Sequence, residues 1–342
     1  MLSCNLSAEI DQNSDNVFIK SVSCTFLSVA FIVGVPGNFL VMWTIYRKLK
    51  NISVTVLLIG NLALADFLIL LPLPIWIYTS AATKWAFGWA FCKILMYIIY
   101  FNLYVSIFLI TLLSIERFLA VFRPFHLQRW TRQHVFQKIT ILIWITAALL
   151  GLVSLPFYNP NPSGQSFQCI LHEFQNTTQK VIFLILETCV GFFVPFCIIL
   201  TCYIFLWRKL REMKFGGRHK SDKIIIIVVG TFVICWIPYH AFNIVNIASF
   251  LLGTCTLEGI LKLGRNISGG LLCMNSCLNP IFYFYYAFRM KSPTKILRLN
   301  VLFEKFGGTE TEKKMSENTE DRTPDRTPLE NNPMVALYHS DA

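Results

Sequence analysis

Glu116 and Arg117 stand side by side in FLITLLSIERFLAVFRPF, Phe108 to Phe125, at the end of a long apolar run. Charge next to hydrocarbon costs roughly 2.5–3.5 kcal/mol per group, so such a pair must satisfy itself or do work. Other apolar runs also hold polar groups: Asn61 and Asp66 in NLALAD, then Asn102 and Ser106, then Asn275, Ser276 and Asn279. A lone Asn or Ser in such a run is more often glue between helices. An Asp is different, because its charge demands a partner. Several oxygen-bearing groups around one carboxylate suit a small hard cation or a water cluster. The motifs of hydrolytic and nucleotide chemistry are missing from the sequence: no HExxH, no GxSxG, no P-loop and no zinc spacing, and His172-Glu173 lacks a second His. The chain is therefore expected not to be an enzyme.

The elements that must carry these groups are apolar and long. The chain is 55% hydrophobic and 14% charged over 342 residues, a balance that suits lipid better than water. Seven stretches, near 22–46, 54–79, 91–122, 136–158, 179–207, 224–251 and 260–286, are each long enough to cross about 30 Å of hydrocarbon. The expected fold is an all-α membrane protein, a bundle of seven transmembrane helices with an amphipathic C-terminal helix. Its parts are a polar N-terminus over 1–21, the bundle over 22–286, a surface helix over 287–306 and a disordered tail over 307–342. The run AFRMKSPTKILRLNVLF alternates apolar and basic residues at helical spacing, which suits the inner membrane surface. The tail is polar and acidic and repeats DRTP.

Sidedness follows from the basic residues. All 30 Lys and Arg except Lys20, Lys84, Lys93, Lys180, Lys262 and Arg265 fall at the first, third and fifth connections between spans or in the tail. This is the positive-inside pattern, so the net charge of +11 reads as topology and not as a nucleic-acid surface. The N-terminus is expected outside and the C-terminus inside. Cys4, Cys92, Cys169 and Cys255 then lie on the oxidising side. Cys92 with Cys169 is the favoured bridge; Cys4 with Cys255 is a second pairing the outer side allows. The sequons at Asn5 and Asn176 also fall outside, whereas the one at Asn266 lies within a span. Prolines at 72, 74, 156, 195, 238 and 280 mark places where helices kink or swivel.

Over residues 20–305 the chain resembles the rhodopsin-like (class A) G protein-coupled receptors. Asn38 in GN, Asp66 in LALAD, Cys92, the Glu116-Arg117-Phe118 triplet, Trp144, Pro195, the run Cys235 to Pro238 and the run Asn279 to Tyr283 stand one to a span, in family order. The resemblance implies that Arg117 pairs with Glu116 at rest and turns to a G protein when active, with Pro124 and Phe125 pressing on that partner. It also implies a transmission core of Pro195, Ile107 and Phe232, a toggle at Trp236, and Tyr203 with Tyr283 meeting near Arg117. Asp66, Asn102, Ser106, Asn275 and Ser276 match the family's sodium pocket; no other cofactor is expected. Two departures stand out. Phe118 replaces the usual Tyr, and Arg218 stands where many relatives carry an acid that locks Arg117, with Asp222 one turn further in as a substitute. A weaker lock implies basal signalling.

Within that family the chain is similar to the leukotriene B4 receptors in VGVPGN, NLALAD, YVSIFLITLLSIERFLAVFRPF, PYHAFN, Glu187 and Arg265. That implies a lipid mediator, coupling mainly to Gi-type proteins, and a plasma-membrane receptor of leukocyte chemotaxis and inflammation. A lipid carboxylate needs a cation near the mouth, an apolar slot and a few groups for its hydroxyls. Arg265 is the anchor by position, with Lys93 and Lys262 as weaker ones. Tyr104, Glu187, His240 and Asn243 read hydroxyls; Met96, Tyr97, Phe101 and Trp236 line the slot or simply pack. Glu187 and Arg265 could instead pair with each other. Met96 and the stretch FYNP replace a His and an Arg of the leukotriene receptors, so another hydroxy fatty acid or a chemoattractant peptide stays open. A transporter fits worse, given an odd number of spans and no inverted repeat. Thr309, Thr311, Ser316, Thr319, Thr323 and Thr327 are expected phosphorylation sites for receptor kinases and arrestin, or else part of a solvated linker.

Overall fold

Lipid leaves backbone groups no partner but each other, so apolar runs of this length become helices. The computed structural model describes residues 12–48, 53–82, 85–122, 133–160, 169–171, 176–212, 219–252 and 258–288. The helices are α1 (Gln12–Lys48), α2 (Val54–Leu70), α3 (Leu73–Ala82), α4 (Gly88–Phe122), α5 (Gln133–Leu152), α6 (Thr177–Thr188), α7 (Val194–Glu212), α8 (His219–Leu252) and α9 (Glu258–Phe288). Six crossings are long and apolar enough for a bilayer: Ser21–Arg47, Val54–Ala82, Gly88–Phe122, Val135–Phe157, Thr178–Lys209 and Ile226–Leu252. With the 31 residues of α9 as the seventh, they follow the order expected from the sequence.

The bundle forms around α4. Its Leu103, Val105, Ile107, Leu109, Ile110 and Leu113 are buried, and α2, α5 and α7 pack against it. By contrast Ile141, Leu142, Ile145 and Leu149 of α5 are exposed, as lipid-facing side chains are.

Three expected spans are not continuous helices, and proline is the reason in each. The second crossing breaks at Leu71 and Pro72 and restarts as α3, with Ile75 N–H donating to Pro72 O at 3.0 Å. The fourth ends at Leu152, and the chain then tightens into a 3-10 turn, Leu155–Phe157, around Pro156. Between α6 and α7 the fifth crossing widens into a π turn, Cys189–Phe193, just before Pro195, whose missing N–H cannot continue the α ladder. In α1, α8 and α9 the helix carries Pro36, Pro238 and Pro280 through its interior. Pro36 is a bend that the sequence reading did not single out.

A two-stranded antiparallel pair, β1 (Tyr158–Pro160) and β2 (Cys169–Leu171), is an element not foreseen from the sequence. It brings Cys169 to Cys92 at the top of α4, and the two form the expected disulfide, with Cα atoms 5.7 Å apart. Gly88 opens that helix at φ +76°, a left-handed conformation natural to glycine, while Trp85 N–H donates to its carbonyl at 2.7 Å. Asn176 caps α6 by accepting from Gln179 N–H at 2.8 Å. The first helix starts at Gln12, ahead of the 22 expected. Cys4, Asn5, Cys255 and Arg218 lie outside the described residues, as do Pro124, Phe125, the tail sites and the surface helix beyond Phe288.

The close approach of α1 to its neighbours depends on Gly34, where an added Cβ would sit 2.4 Å from Leu70 Cδ1 and 3.3 Å from the backbone Cα of Cys277. Gly34→Val is expected to destabilise the bundle by about 1–3 kcal/mol, because a backbone wall cannot rotate away. Thermal unfolding of the detergent-solubilised protein checks this; an unchanged melting temperature would show that α1 has room to shift.

Candidate functional site

Three layers of polar side chains line the bundle interior, and each joins helices distant in sequence. At the inner end of α4, Arg117 Nε lies 2.8 Å from Glu116 Oε2. Thr55, buried in the first turn of α2, donates to Glu116 Oε1 at 3.1 Å and accepts from Arg117 Nη2. Neighbouring residues on a helix point in different directions, so a third group from another helix is what closes this pair. The sequence reading missed Thr55; a hydroxyl at the inner end of a span was the available signal. Beside it Phe118 stacks on Phe122 at 4.6 Å and meets Phe205 of α7 edge-on at 6.3 Å. The replacement of Tyr by Phe at 118 thus feeds an aromatic cluster. Asp222 lies on α8, but its side chain is outside the described residues.

The middle layer centres on Asp66, fully buried on α2. Asn279 of α9 donates to Asp66 Oδ2 at 2.7 Å, and Asn102 of α4 donates to the Ala65 carbonyl at 2.7 Å. Asn38 of α1 donates to Gly34 O and Ser276 O, both at 3.0 Å. Trp144 N–H donates to Asn61 Oδ1 at 3.0 Å and ties α5 to α2. Of the residues expected around the carboxylate, these bonds tie Asn102 to α2 and the Ser276 carbonyl to α1. They leave Asp66 Oδ1, Asn102 Oδ1 and Asn275 Oδ1 buried with no hydrogen bond among the described residues. Ser106 and Ser276 are buried in the same helices. One carboxylate with amide and hydroxyl oxygens fits a hard monovalent cation. Among the described residues there is no group of three His, Cys, Asp or Glu that would hold a transition metal.

The upper layer is aromatic and polar. Phe232, Trp236 and His240 rise along one face of α8, with ring centroids 5.0 Å and then 5.9 Å apart, and Phe192 from the π turn stacks on His240 at 4.6 Å. The column therefore runs from the turn before Pro195 to the expected toggle, with Ile107 and Phe232 buried at its foot. Tyr239, also missed from the sequence, meets His240 edge-on and donates its hydroxyl to Glu187 of α6. Glu187 and His240 are each 1% exposed. Tyr104 is buried on α4 within electrostatic reach of Glu187. Both His240 nitrogens, Asn243 Nδ2, Trp236 Nε1 and Thr188 Oγ1 have no hydrogen-bond partner among the described residues. Buried polar atoms of this kind are normally satisfied, so this layer has capacity for a guest.

Other expected ligand residues divide. Met96 is buried on α4. Tyr97 and Phe101 stack on each other at 5.9 Å, and Phe101 leans on Trp144 at 5.5 Å, so these rings pack the third crossing against the fourth. Phe157, in the stretch where leukotriene receptors carry Arg, packs on Phe183 at 5.1 Å, and Phe183 meets Tyr100 at 5.9 Å. Lys93 lays its ammonium over Trp89 at 4.4 Å. Arg265 and Lys262 lie on α9 with side chains outside the described residues, so the alternative pairing of Arg265 with Glu187 falls outside them too. Tyr203 is half-buried and Tyr283 buried, on α7 and α9.

Residues 37–283 match the sequence profile of the 7 transmembrane receptor (rhodopsin family). Human leukotriene B4 receptor 1 (Homo sapiens) is 31% identical over 270 residues, spanning 78% of this chain and 77% of that receptor. The type-1 angiotensin II receptor of Bos taurus is 37% identical over 284 residues and its Homo sapiens counterpart 36%, with the same shares of the two chains covered.

The two kinds of buried polar group respond oppositely to removal. Asn61→Leu strips the Trp144 N–H of its acceptor and lowers stability by about 1–3 kcal/mol. His240→Phe keeps the stacking and deletes unpartnered nitrogens, so the ligand-free melting temperature rises. Melting curves of both variants test this; a fall for His240→Phe would show that the imidazole is already satisfied.

Proposed function

The chain belongs to the rhodopsin family of G protein-coupled receptors, and on that premise we propose that its ligand is a lipid chemoattractant, leukotriene B4 in the first instance, with signalling through a Gi-type protein. The observation that carries this reading is the upper layer, a buried cluster of Glu187, Tyr239, His240 and Asn243 stacked on Trp236. Hydroxyls of a fatty acid supply both donors and acceptors, which such a cluster reads. Met96 and the rings around it give the chain an apolar wall, and Arg265 takes the carboxylate. Similarity to leukotriene B4 receptor 1 supports this choice. Greater identity to type-1 angiotensin II receptors favours a peptide as the second reading; a peptide also ends in a carboxylate.

Occupancy of the upper layer presses on Trp236 through His240. The sixth crossing then swings about Pro238, the seventh about Pro280, and Arg117 leaves Glu116 and Thr55 to face the G protein beside Pro124 and Phe125. Tyr203 and Tyr283 close on the freed guanidinium. A sodium ion held by Asp66, Asn102, Ser106, Asn275 and Ser276 would supply positive charge that favours the resting arrangement. The receptor works in the plasma membrane with its N-terminus, and glycans at Asn5 and Asn176, outside. Phosphorylation by receptor kinases at Thr309, Thr311, Ser316, Thr319, Thr323 and Thr327 adds the paired charge that arrestin recognises.

Membranes holding the receptor with a Gi-type trimer are expected to exchange nucleotide in response to leukotriene B4, and Arg265→Ala to weaken labelled leukotriene binding by roughly 10- to 100-fold, the loss of one charge-assisted anchor. Equal affinity in both would remove the anchor. A response to angiotensin-like peptides and none to oxidised fatty acids would favour the peptide reading.

With Arg218 in place of an acid, ligand-free exchange should exceed that of receptor-free membranes. Replacing potassium by sodium lowers this basal rate in the wild type and leaves Asp66→Asn unchanged; parallel curves for the two would dismiss the sodium site.

A further inference from the structure

The inner end of α1 presents a feature that the receptor mechanism does not use. Phe39, Trp43 and Arg47 recur every fourth residue, which places them on one stripe of the helix. Phe39 stacks on Trp43 with centroids 6.1 Å apart and meets Phe67 of α2 at 6.4 Å. The Arg47 guanidinium lies over the Trp43 ring, 4.7 Å from its centre. All of these rings except Phe67 face outward from the bundle, and Tyr46 beside them is 83% exposed. Arg47 makes no ion pair or hydrogen bond among the described residues. The guanidinium is thus held beside the indole at the exposed surface of the helix.

We propose that this stripe, with Phe67 of α2 beside it, binds an anionic phospholipid of the cytoplasmic leaflet. Arg47 meets the phosphate, and one acyl chain runs along Trp43, Phe39 and Phe67, about 12 Å of helix from the charge. Charge complementarity decides the occupant. The positive-inside pattern places this end at the cytoplasmic leaflet, whose lipids are negative, and the sequence adds Lys48 and Lys50 to it. A planar guanidinium with free edge donors matches phosphate oxygens in pairs. A sterol would cover the rings but leave the guanidinium unused. A snorkelling arginine would extend toward bulk water; stacking on Trp43 keeps this one at the depth of a lipid phosphate, where cation and indole hold each other.

The test is native mass spectrometry on the full detergent-solubilised chain, with phosphatidylserine as the probe. Wild type is expected to retain it more tightly than phosphatidylcholine. Arg47→Ala and Trp43→Leu each weaken that retention by roughly fivefold, the effect of one basic residue near an anionic surface. Arg47→Lys falls between. Because these side chains face lipid, the melting temperatures of the variants in phosphatidylcholine stay at the wild-type value, which separates lost binding from lost fold. Equal retention of phosphatidylserine by wild type and Arg47→Ala would overturn the proposal. So would stronger retention of cholesterol than of phosphatidylserine. Millimolar glycerol phosphate should not displace the lipid; if it does, the site is one for soluble phosphate and the lipid assignment falls.

Discussion

Hydrocarbon offers no hydrogen bonds, and this constraint organises the whole molecule. Every polar group carried into the membrane by a helix must find its partner on another helix or keep its capacity for a guest. Asp66 with Asn279, Asn38 with the Ser276 carbonyl and Trp144 with Asn61 are three cases of the first kind. Each ties helices far apart in sequence, so the polar groups fix the register of the bundle that the apolar side chains merely fill. His240, Asn243 and Trp236 are cases of the second kind. Groups with no partner among the described residues, such as both His240 nitrogens and Asp66 Oδ1, are the ones with capacity for a guest.

The same constraint explains the bends. A proline removes one backbone bond, and in lipid that deficit has to be absorbed locally. It is absorbed here by a restart at Leu71–Pro72, by a 3-10 turn at Pro156 and by a π turn ahead of Pro195. The π turn has a packing consequence, since Phe192 within it stacks on His240 and so joins the fifth crossing to the aromatic column above Phe232. At the inner end the lock is a triangle. Thr55 bonds both members of the Glu116–Arg117 pair, which lets charge persist near the membrane interior.

Ligand chemistry is the least constrained part of the receptor. The polar layer on the fifth and sixth crossings suits hydroxyls, while Phe157, Phe183 and Tyr100 fill with rings the region where leukotriene receptors carry a basic group. Similarity at 31% and 37% identity to a leukotriene B4 receptor and to an angiotensin II receptor agrees with a scaffold on which a few side chains decide the guest.

The sequence alone determined the class of fold and the order of crossings, supplied the expectation of their sidedness, and made Cys92–Cys169 the favoured bridge that the structure contains. Hydropathy, charge placement and redox compartment are properties of composition along the chain, and they need no knowledge of packing. Asp66, Asn102, Asn275 and Asn279 were legible for a similar reason, because a polar residue in lipid is conspicuous. Thr55 and Tyr239 were not: a hydroxyl costs little in a span and draws no notice until Glu116 or Glu187 is set against it. Tyr97 and Phe101 were read as lining a slot or simply packing, two roles the sequence cannot separate because a ring looks alike whichever neighbour it faces. The structure sets them against each other and Phe101 against Trp144. Only the tertiary structure decides those matters, since which face of a helix meets which neighbour depends on the rotation of each helix about its axis. That rotation is set by contacts such as Gly34 against Cys277, between residues hundreds of positions apart.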